Sequence, residues 1–264
     1  MHVTLNGTGV DESAWRSLAL TNYGHFTSLL VRDGAVQGLD LHLKRLADAT
    51  RELFGTALDL EHTQAWMREA IIDGDEWQSM RVTIFSRAFD RERPADPCGA
   101  DVLIATTSAE PVDTPAISVA TARYQRDVPH IKHVGTFGLL QQKLLAQRRG
   151  YDDVLFIDGN GLVSEGSIWN IGFFDDNGVV WPEAEMLNGV SQRLLQCGLS
   201  ESGFPSTRRR IRCSDLANFR GAFFTNSRRA VVPVERIDEV DYVVDPSDSG
   251  VLQRALATQH WQSL

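Results

Sequence analysis

The sequence predicts an α/β (α+β) chain of two domains, a small N-terminal α/β domain and a larger C-terminal domain with mixed sheets and helices. Three observations predict it. Strand pairs joined at glycine turns alternate with segments of helical period, and the proline-bearing stretch AEPVDTP breaks both periodicities midway. The segment from Ile131 to Phe174 places a lysine, a helix, a tight hairpin and a glutamate in one supersecondary unit. The expected boundaries are 1–108 for the small domain, 109–115 for the linker and 116–264 for the larger domain.

In order, HVTLNG reads as a strand reaching a turn. HFTSLLVRDGAVQGL reads as two strands joined at Asp33-Gly34, the dipeptide that suits the positive φ of a two-residue hairpin. LDLHLKRLADATRELFG brings Leu43, Leu46, Ala47 and Leu53 to one helical face and stops at Gly55. A second helix centres on EHTQAWMREAIIDG. SMRVTIFSRAF, with Val82, Ile84 and Phe85, is a core strand, and FDRERPADPCG is a loop by its prolines, glycine and charges. DVLIATTSAE finishes the first sheet.

The second half opens with ISVATARYQRD, a strand entering the loop before Lys132. GTFGLLQQKLLAQRRG then forms a helix whose apolar positions are Phe137, Leu140, Leu144 and Leu145, ended by Gly150. VLFID and LVSEG flank Gly159-Asn160-Gly161 as a hairpin, so Glu165 emerges near its far end. In VVWPEAEMLNGVSQRLLQCGL the turn Asn188-Gly189 precedes a helix with Ser191 in its first turn, and GAFFTNSRRAVVPVERID reads as a strand and loop.

Composition narrows the function. Hydrophobic residues at 42% and charged residues at 23% describe an ordinary globule, and a net charge of −9 argues against a phosphate-backbone binder, so no nucleic-acid partner is expected. The basic run Arg208-Arg209-Arg210 with Arg212 reads as a solvated edge strand and its approach. No apolar run approaches a membrane span, and Met1 to Gly7 lacks the regions of a signal peptide, which gives a cytoplasmic expectation and no membrane partner. Cys98, Cys197 and Cys213 are odd in number and lack CxxC spacing, so no disulfide framework and no metal site are expected.

Taken singly, the candidate residues have plain readings. A buried lysine beside a carboxylate is by default an ion pair, and an arginine on an amphipathic helix, such as Arg45, is ordinarily exposed. Together they form a pattern. Lys132, Gly150-Tyr151-Asp152-Asp153, the Glu165-Gly166 pair and Asn170 resemble the signature of the class IV aminotransferases. This is the fold-type IV pyridoxal phosphate (PLP) family of branched-chain aminotransferase, D-amino acid aminotransferase and aminodeoxychorismate lyase, and the similarity covers nearly the whole chain.

The resemblance implies a PLP-dependent enzyme and assigns roles. Lys132 holds PLP as a Schiff base and shuttles protons, and Glu165 pairs with the protonated pyridine nitrogen so that the ring acts as an electron sink. Asn170 lies in the same cofactor site. Arg45, in an HLxRL helix start, reaches the phosphate. Gly189 with the amides of Val190 and Ser191 forms the phosphate turn, and Ser227, with Thr225 as the alternative, donates a hydroxyl to it.

Substrate contacts carry over less directly. Arg91-Glu92-Arg93 falls on the loop where D-amino acid enzymes place an arginine and a histidine for the substrate carboxylate. Arg228 and Arg229 replace two small residues of branched-chain enzymes. Phe137 stands where many transaminases have a tyrosine facing the PLP phenolate oxygen. Lys132-His133 is closer to the lyase branch, in which a threonine hydroxyl of the stretch holding Thr27 and Ser28 is used.

Two reactions are therefore implied: amino-group exchange between an amino acid or amine and an oxo acid, which is favoured, and an aminodeoxychorismate-type lyase releasing pyruvate. A cofactor-binding protein without catalysis is a third. Relatives build each cleft with a neighbouring subunit's loop, so a homodimer is expected, with the Asp90 to Arg93 loop or the hairpin near His25 as that loop.

Overall fold

The structure is a computed structural model that describes residues 1–110 and 115–264. Pro111 to Thr114, at the heart of the expected linker, lie outside the described residues. The chain forms two compact units that are not continuous in sequence: Ile131–Gly135 and Trp261–Leu264 belong with Met1–Pro111, and Val112–His130 with Thr136–His260 make the second. The sequence predicts a single boundary with residues 116–264 in one domain, whereas Lys132 groups with the first unit.

The first unit contains β1 (His2–Leu5), α1 (Glu12–Thr21), β2 (His25–Arg32), β3 (Ala35–Gln37), α2 (Leu39–Phe54), α3 (Leu60–Glu69), β4 (Trp77–Phe85) and β5 (Asp101–Ser108). The β2–β3 turn is the expected one, with Asp33 at φ 47° and Gly34 at φ 71°. Helix α2 stops where Gly55 turns left-handed at φ 64°. Leu39, Leu46 and Phe54 from α2 and Met67 from α3 pack on Leu29, Val31, Met80, Val82, Ile84 and Ile104 of the sheet. Each such side chain removed from water stabilises the unit by about 1.5–3 kcal/mol. The last strand, β15 (Trp261–Ser263), was not foreseen: it pairs antiparallel with β3 and completes the order β1-β5-β4-β2-β3-β15.

The second unit contains β6 (Ile117–Arg123), α4 (Phe137–Arg148), β7 (Asp153–Ile157), β8 (Val163–Gly166), β9 (Asn170–Asp175), β10 (Gly178–Pro182), α5 (Val190–Glu201), β11 (Ser206–Arg209), β12 (Gly221–Thr225), β13 (Val232–Ile237), β14 (Val240–Asp241) and α6 (Pro246–Ala257). Its strands run β11-β10-β9-β12-β13-β6-β7-β8, and β8 also pairs with β9, so six of them close on themselves. The closing pair is Glu165 opposite Asn170. Val119, Leu155, Val163, Ile171, Phe173, Phe224 and Val234 belong to the core of this unit. Exposed β11 is the edge strand expected of the arginine run.

Helix α4 forms where its spacing predicts it. Its apolar positions Phe137, Leu140, Leu144 and Leu145 are exposed, Phe137 at 78%. The helix packs instead through Leu139 and Ala146 on Ala120, Val154 and Phe156. Spacing identified the helix, but a small contact face of alanine and one leucine is what the sheet accepts.

Candidate active site

In the first unit the segment around Lys132 runs beside the start of β2. The Phe26 N–H donates to the Lys132 carbonyl and the Val134 N–H to the Gly24 carbonyl, both at 2.9 Å, and His25 bridges to His133. This pairing sets the half-buried Lys132 Nζ 4.9 Å from the centroid of the Phe26 ring. The Arg81 guanidinium carbon lies 3.5 Å from the same centroid, and its Nε donates to Thr83 Oγ1 at 3.1 Å. No carboxylate pairs with Arg81 among the described residues. Arg81 and Thr83 also line a cavity of about 230 Å³ with Thr21, Asn22, Tyr23 and Ser86.

Beneath β2, Thr27 and His42 are wholly buried, with Thr27 Oγ1 and His42 Nδ1 2.6 Å apart. Burial first, then the cations of Arg45 and Lys132, hold His42 well below the usual histidine range and keep it neutral. The structure thus brings Arg45 and Lys132 near one imidazole. His25, which the sequence reading offered as part of a shared loop, is a core residue: its Nε2 is 3.0 Å from Thr50 Oγ1, and burial pushes it down to about 3. Thr50 gives its own proton to the Leu46 carbonyl at 2.7 Å, so His25 donates from Nε2. Ser28, opposite Arg81 in register, remains partly accessible.

In the second unit the expected cofactor residues gather around Asn170. Its register partner on β8 is Glu165 and its partner on β12 is Thr225. Its Nδ2 donates to the Leu187 carbonyl at 2.7 Å, which secures the turn before α5. A Cβ at Gly189 would fall on Asn170 Oδ1, so this turn accepts only glycine although its φ is ordinary. Ser191 Oγ and Thr225 Oγ1 are 2.6 Å apart and buried. The first amides of α5 lack intrahelical partners, as at any helix start. A turn closed to side chains, free amides and two buried hydroxyls suit a phosphate, and a buried carboxylate suits a protonated ring nitrogen, so these residues fit PLP.

The other sequence candidates lie in turns and loops. Ser227 sits half-buried in the turn after Thr225, where the Arg228 and Arg229 amides both donate to Asn226 Oδ1, at 3.0 and 2.8 Å. Arg91 is exposed, and Arg93 is held by Asp90 at 3.2 Å and Asp96 at 3.5 Å within its own loop. Phe137, taken as the replacement for a phenol donor, points to solvent.

Three residues were missed. Arg81 occupies a strand position that alternation assigns to solvent. Arg126, buried after β6, has its Nε 3.9 Å from Glu165 Oε1. Tyr124, whose hydroxyl abuts Gly138 and whose pKa burial raises, feels the charges of Asp127, Arg126 and Glu165.

The family model for amino-transferase class IV matches residues 24–237. A putative branched-chain-amino-acid aminotransferase of Methanocaldococcus jannaschii is 26% identical over 90% of this chain and 88% of its own. Among solved structures, a branched-chain aminotransferase of Thermoproteus uzoniensis, crystallised with norvaline, superposes with a TM-score of 0.82 at 20% identity, covering 97% of this chain and 93% of that one. The PLP-bound form of a hypothetical aminotransferase from Mycobacterium tuberculosis gives 0.79 at 19%, covering 97% and 98%. These structures share the fold.

Proposed function

The chain belongs to the class IV aminotransferase family and is an enzyme of amino-group transfer, and on that premise we propose that it carries pyridoxal 5′-phosphate on Lys132 and exchanges an amino group between an amino acid and an oxo acid. The observation that supports this most is the set around Asn170, where Glu165, Gly189, Ser191 and Thr225 meet in one unit.

When bound, the cofactor supplies an electron sink for the pair left when a proton departs from the substrate carbon. The chain's residues do the rest. Lys132 is the covalent attachment point and, once displaced, the base that moves the proton. Glu165 holds the ring nitrogen protonated. The amides of Val190 and Ser191, the hydroxyls of Ser191, Thr225 and Ser227, and the Arg45 guanidinium bind the phosphate, while Asn170 keeps the Leu187–Gly189 turn in place. Arg81, whose cation meets no carboxylate among the described residues, suits the carboxylate that amino acids and oxo acids share. Arg228 and Arg229 are second candidates, ahead of the Arg91 and Arg93 loop.

The lyase alternative would draw on Thr27 or Ser28; the Thr27 hydroxyl is committed to His42 and fully buried, whereas Ser28 stays partly accessible. The family match favours transamination, with branched-chain donors first to try because the M. jannaschii relative bears that name. The exposed apolar residues of α4 favour a homodimer, since an uncovered patch of that kind is costly in water. Three free cysteines accord with a reducing, cytoplasmic setting. Among the described residues no helix is long and apolar enough to cross a membrane.

Borohydride reduction followed by peptide mass spectrometry is expected to find a pyridoxyl group on Lys132. An adduct on Lys143 or Lys44 instead, or none, refutes the assignment. An amino donor is expected to shift the cofactor absorbance and an oxo acid to restore it. Sedimentation is expected to give twice the 29.4 kDa chain mass.

A further inference from the structure

The cavity of about 230 Å³ beside Arg81 lies wholly within the first unit. Its floor follows β4 through Arg81, Thr83 and Phe85, alternate residues that share one face of the sheet, with Leu103 of β5 opposite Thr83. At about 3.4 Å per residue this floor is roughly 14 Å long. The end of α1 covers it: Leu18 packs with Phe85 and Leu103, and Ser17 and Thr21 line the space beside it. The Arg81 end adjoins the lysine. The Arg81 guanidinium carbon and Lys132 Nζ meet the same Phe26 ring, 3.5 and 4.9 Å from its centroid, and Val134, two residues after Lys132, forms part of the wall.

The lining divides by chemistry. Arg81 is its one cation, and no carboxylate lines it. Among the described residues Arg81 donates through Nε alone, to Thr83, which leaves the N–H groups of both Nη atoms for a carboxylate. The other polar groups are neutral: the Ser17 and Thr21 hydroxyls, the Asn22 amide, and Ser86, whose Oγ accepts from the Ala88 N–H at 3.1 Å. Tyr23 does not join them, since its hydroxyl turns to the Leu53 carbonyl and its ring stacks on Phe89 at 4.3 Å.

We propose that this cavity holds the substrate's side chain, and that the preferred substrate is an amino acid, or its oxo acid, whose side chain is an aryl ring ending in a hydroxyl. This rests on the reading of Lys132 as the reacting lysine and Arg81 as the partner of the substrate carboxylate. With that carboxylate on Arg81, a branched aliphatic side chain ends near Thr83 and leaves the hydroxyls of α1 unmet. An aryl ring reaches farther, between Leu18, Phe85 and Leu103, and its hydroxyl meets those of Ser17 and Thr21. A second carboxylate at that depth finds no further cation, and an uncompensated charge there is costly.

The test is calorimetric titration of the full chain near neutral pH with three acids that carry neither an amino nor an oxo group and so cannot react: 3-(4-hydroxyphenyl)propanoate, 3-phenylpropanoate and 4-methylpentanoate. The hydroxyphenyl acid is expected to bind about tenfold more tightly than the phenyl acid, and 4-methylpentanoate most weakly. S17A/T21V is expected to erase the difference between the two aryl acids, and R81Q to weaken all three by about tenfold or more. Equal binding of the three acids, binding of none, or tightest binding of 4-methylpentanoate overturns the proposal. So does a hydroxyl preference that survives in S17A/T21V, or binding that R81Q leaves untouched. Failure of the cofactor reading shows separately, as no borohydride adduct on Lys132, and leaves the order of the three acids standing.

Discussion

Beneath β2 the first unit buries neutral polarity: His25 with Thr50, and His42 with Thr27. Around β7 and β8 the second unit buries charge: Glu165 beside Arg126, and Asp153 between Lys143 and Trp169. The cations that matter for chemistry in the first unit, Lys132, Arg45 and Arg81, lie outside that neutral layer and stay partly accessible. The contrast teaches where each unit is vulnerable. Neutral imidazoles make a layer that acid disturbs, whereas paired charges make one that substitution disturbs.

The strongest challenge to this division is at Lys132. Lys132→Ala is expected to lower amino transfer by at least about 10³-fold while leaving thermal unfolding nearly unchanged, because the lysine belongs to the chemistry and not to the buried layer. A large loss of melting temperature would show that the neutral layer depends on it. In the second unit, Asp153→Ala strands the Lys143 ammonium and the Trp169 N–H, and is expected to cost about 2–3 kcal/mol in denaturant unfolding. A cost near zero would mean that the charge is not integral to this layer.

Acid sharpens the comparison next. An unfolded histidine takes its proton near pH 6.5, while folded His25 refuses it until about 3, so across that window the unfolded chain binds more protons. Stability should therefore fall as pH drops below about 6.5, by up to about 1.4 kcal/mol per pH unit for each buried histidine. His25→Phe, beside Phe54, should flatten that slope in a urea titration series. The smallest effect is expected at Ser191→Ala, which removes one hydroxyl of the phosphate site and should weaken PLP binding by about tenfold. Equilibrium absorbance titration reads it, and unchanged binding would assign that hydroxyl to packing with Thr225 alone.

Much of this was legible in local chemistry. Asp33-Gly34 and Gly159-Asn160-Gly161 marked hairpins because few residues accept a positive φ, and Gly55 marked the end of α2. The motif around Lys132 and Glu165 carried the family. What escaped were facts of tertiary placement. β15 is three residues long, too short for a period, and its partner β3 lies more than two hundred positions earlier. The outward face of α4 could not be read, since periodicity reports a stripe and not what covers it. Arg126 gave no signal, because an arginine in a loop reads as solvated until the fold buries it beside a glutamate.

The split composition of the first unit has a consequence during synthesis. Its sheet is assembled in three instalments, residues 1–111, then 131–135 beside β2, then 261–264 beside β3, with the second unit translated in the two gaps between them. Until the final instalment leaves the ribosome, β3 is an open edge with unpaired backbone groups, the kind of edge that invites pairing with a neighbouring chain. The second unit draws on residues 112–130 and 136–260 alone, so it can complete its closed strands first. A nascent chain of this enzyme is thus expected to be most prone to aggregation in its earliest-made part.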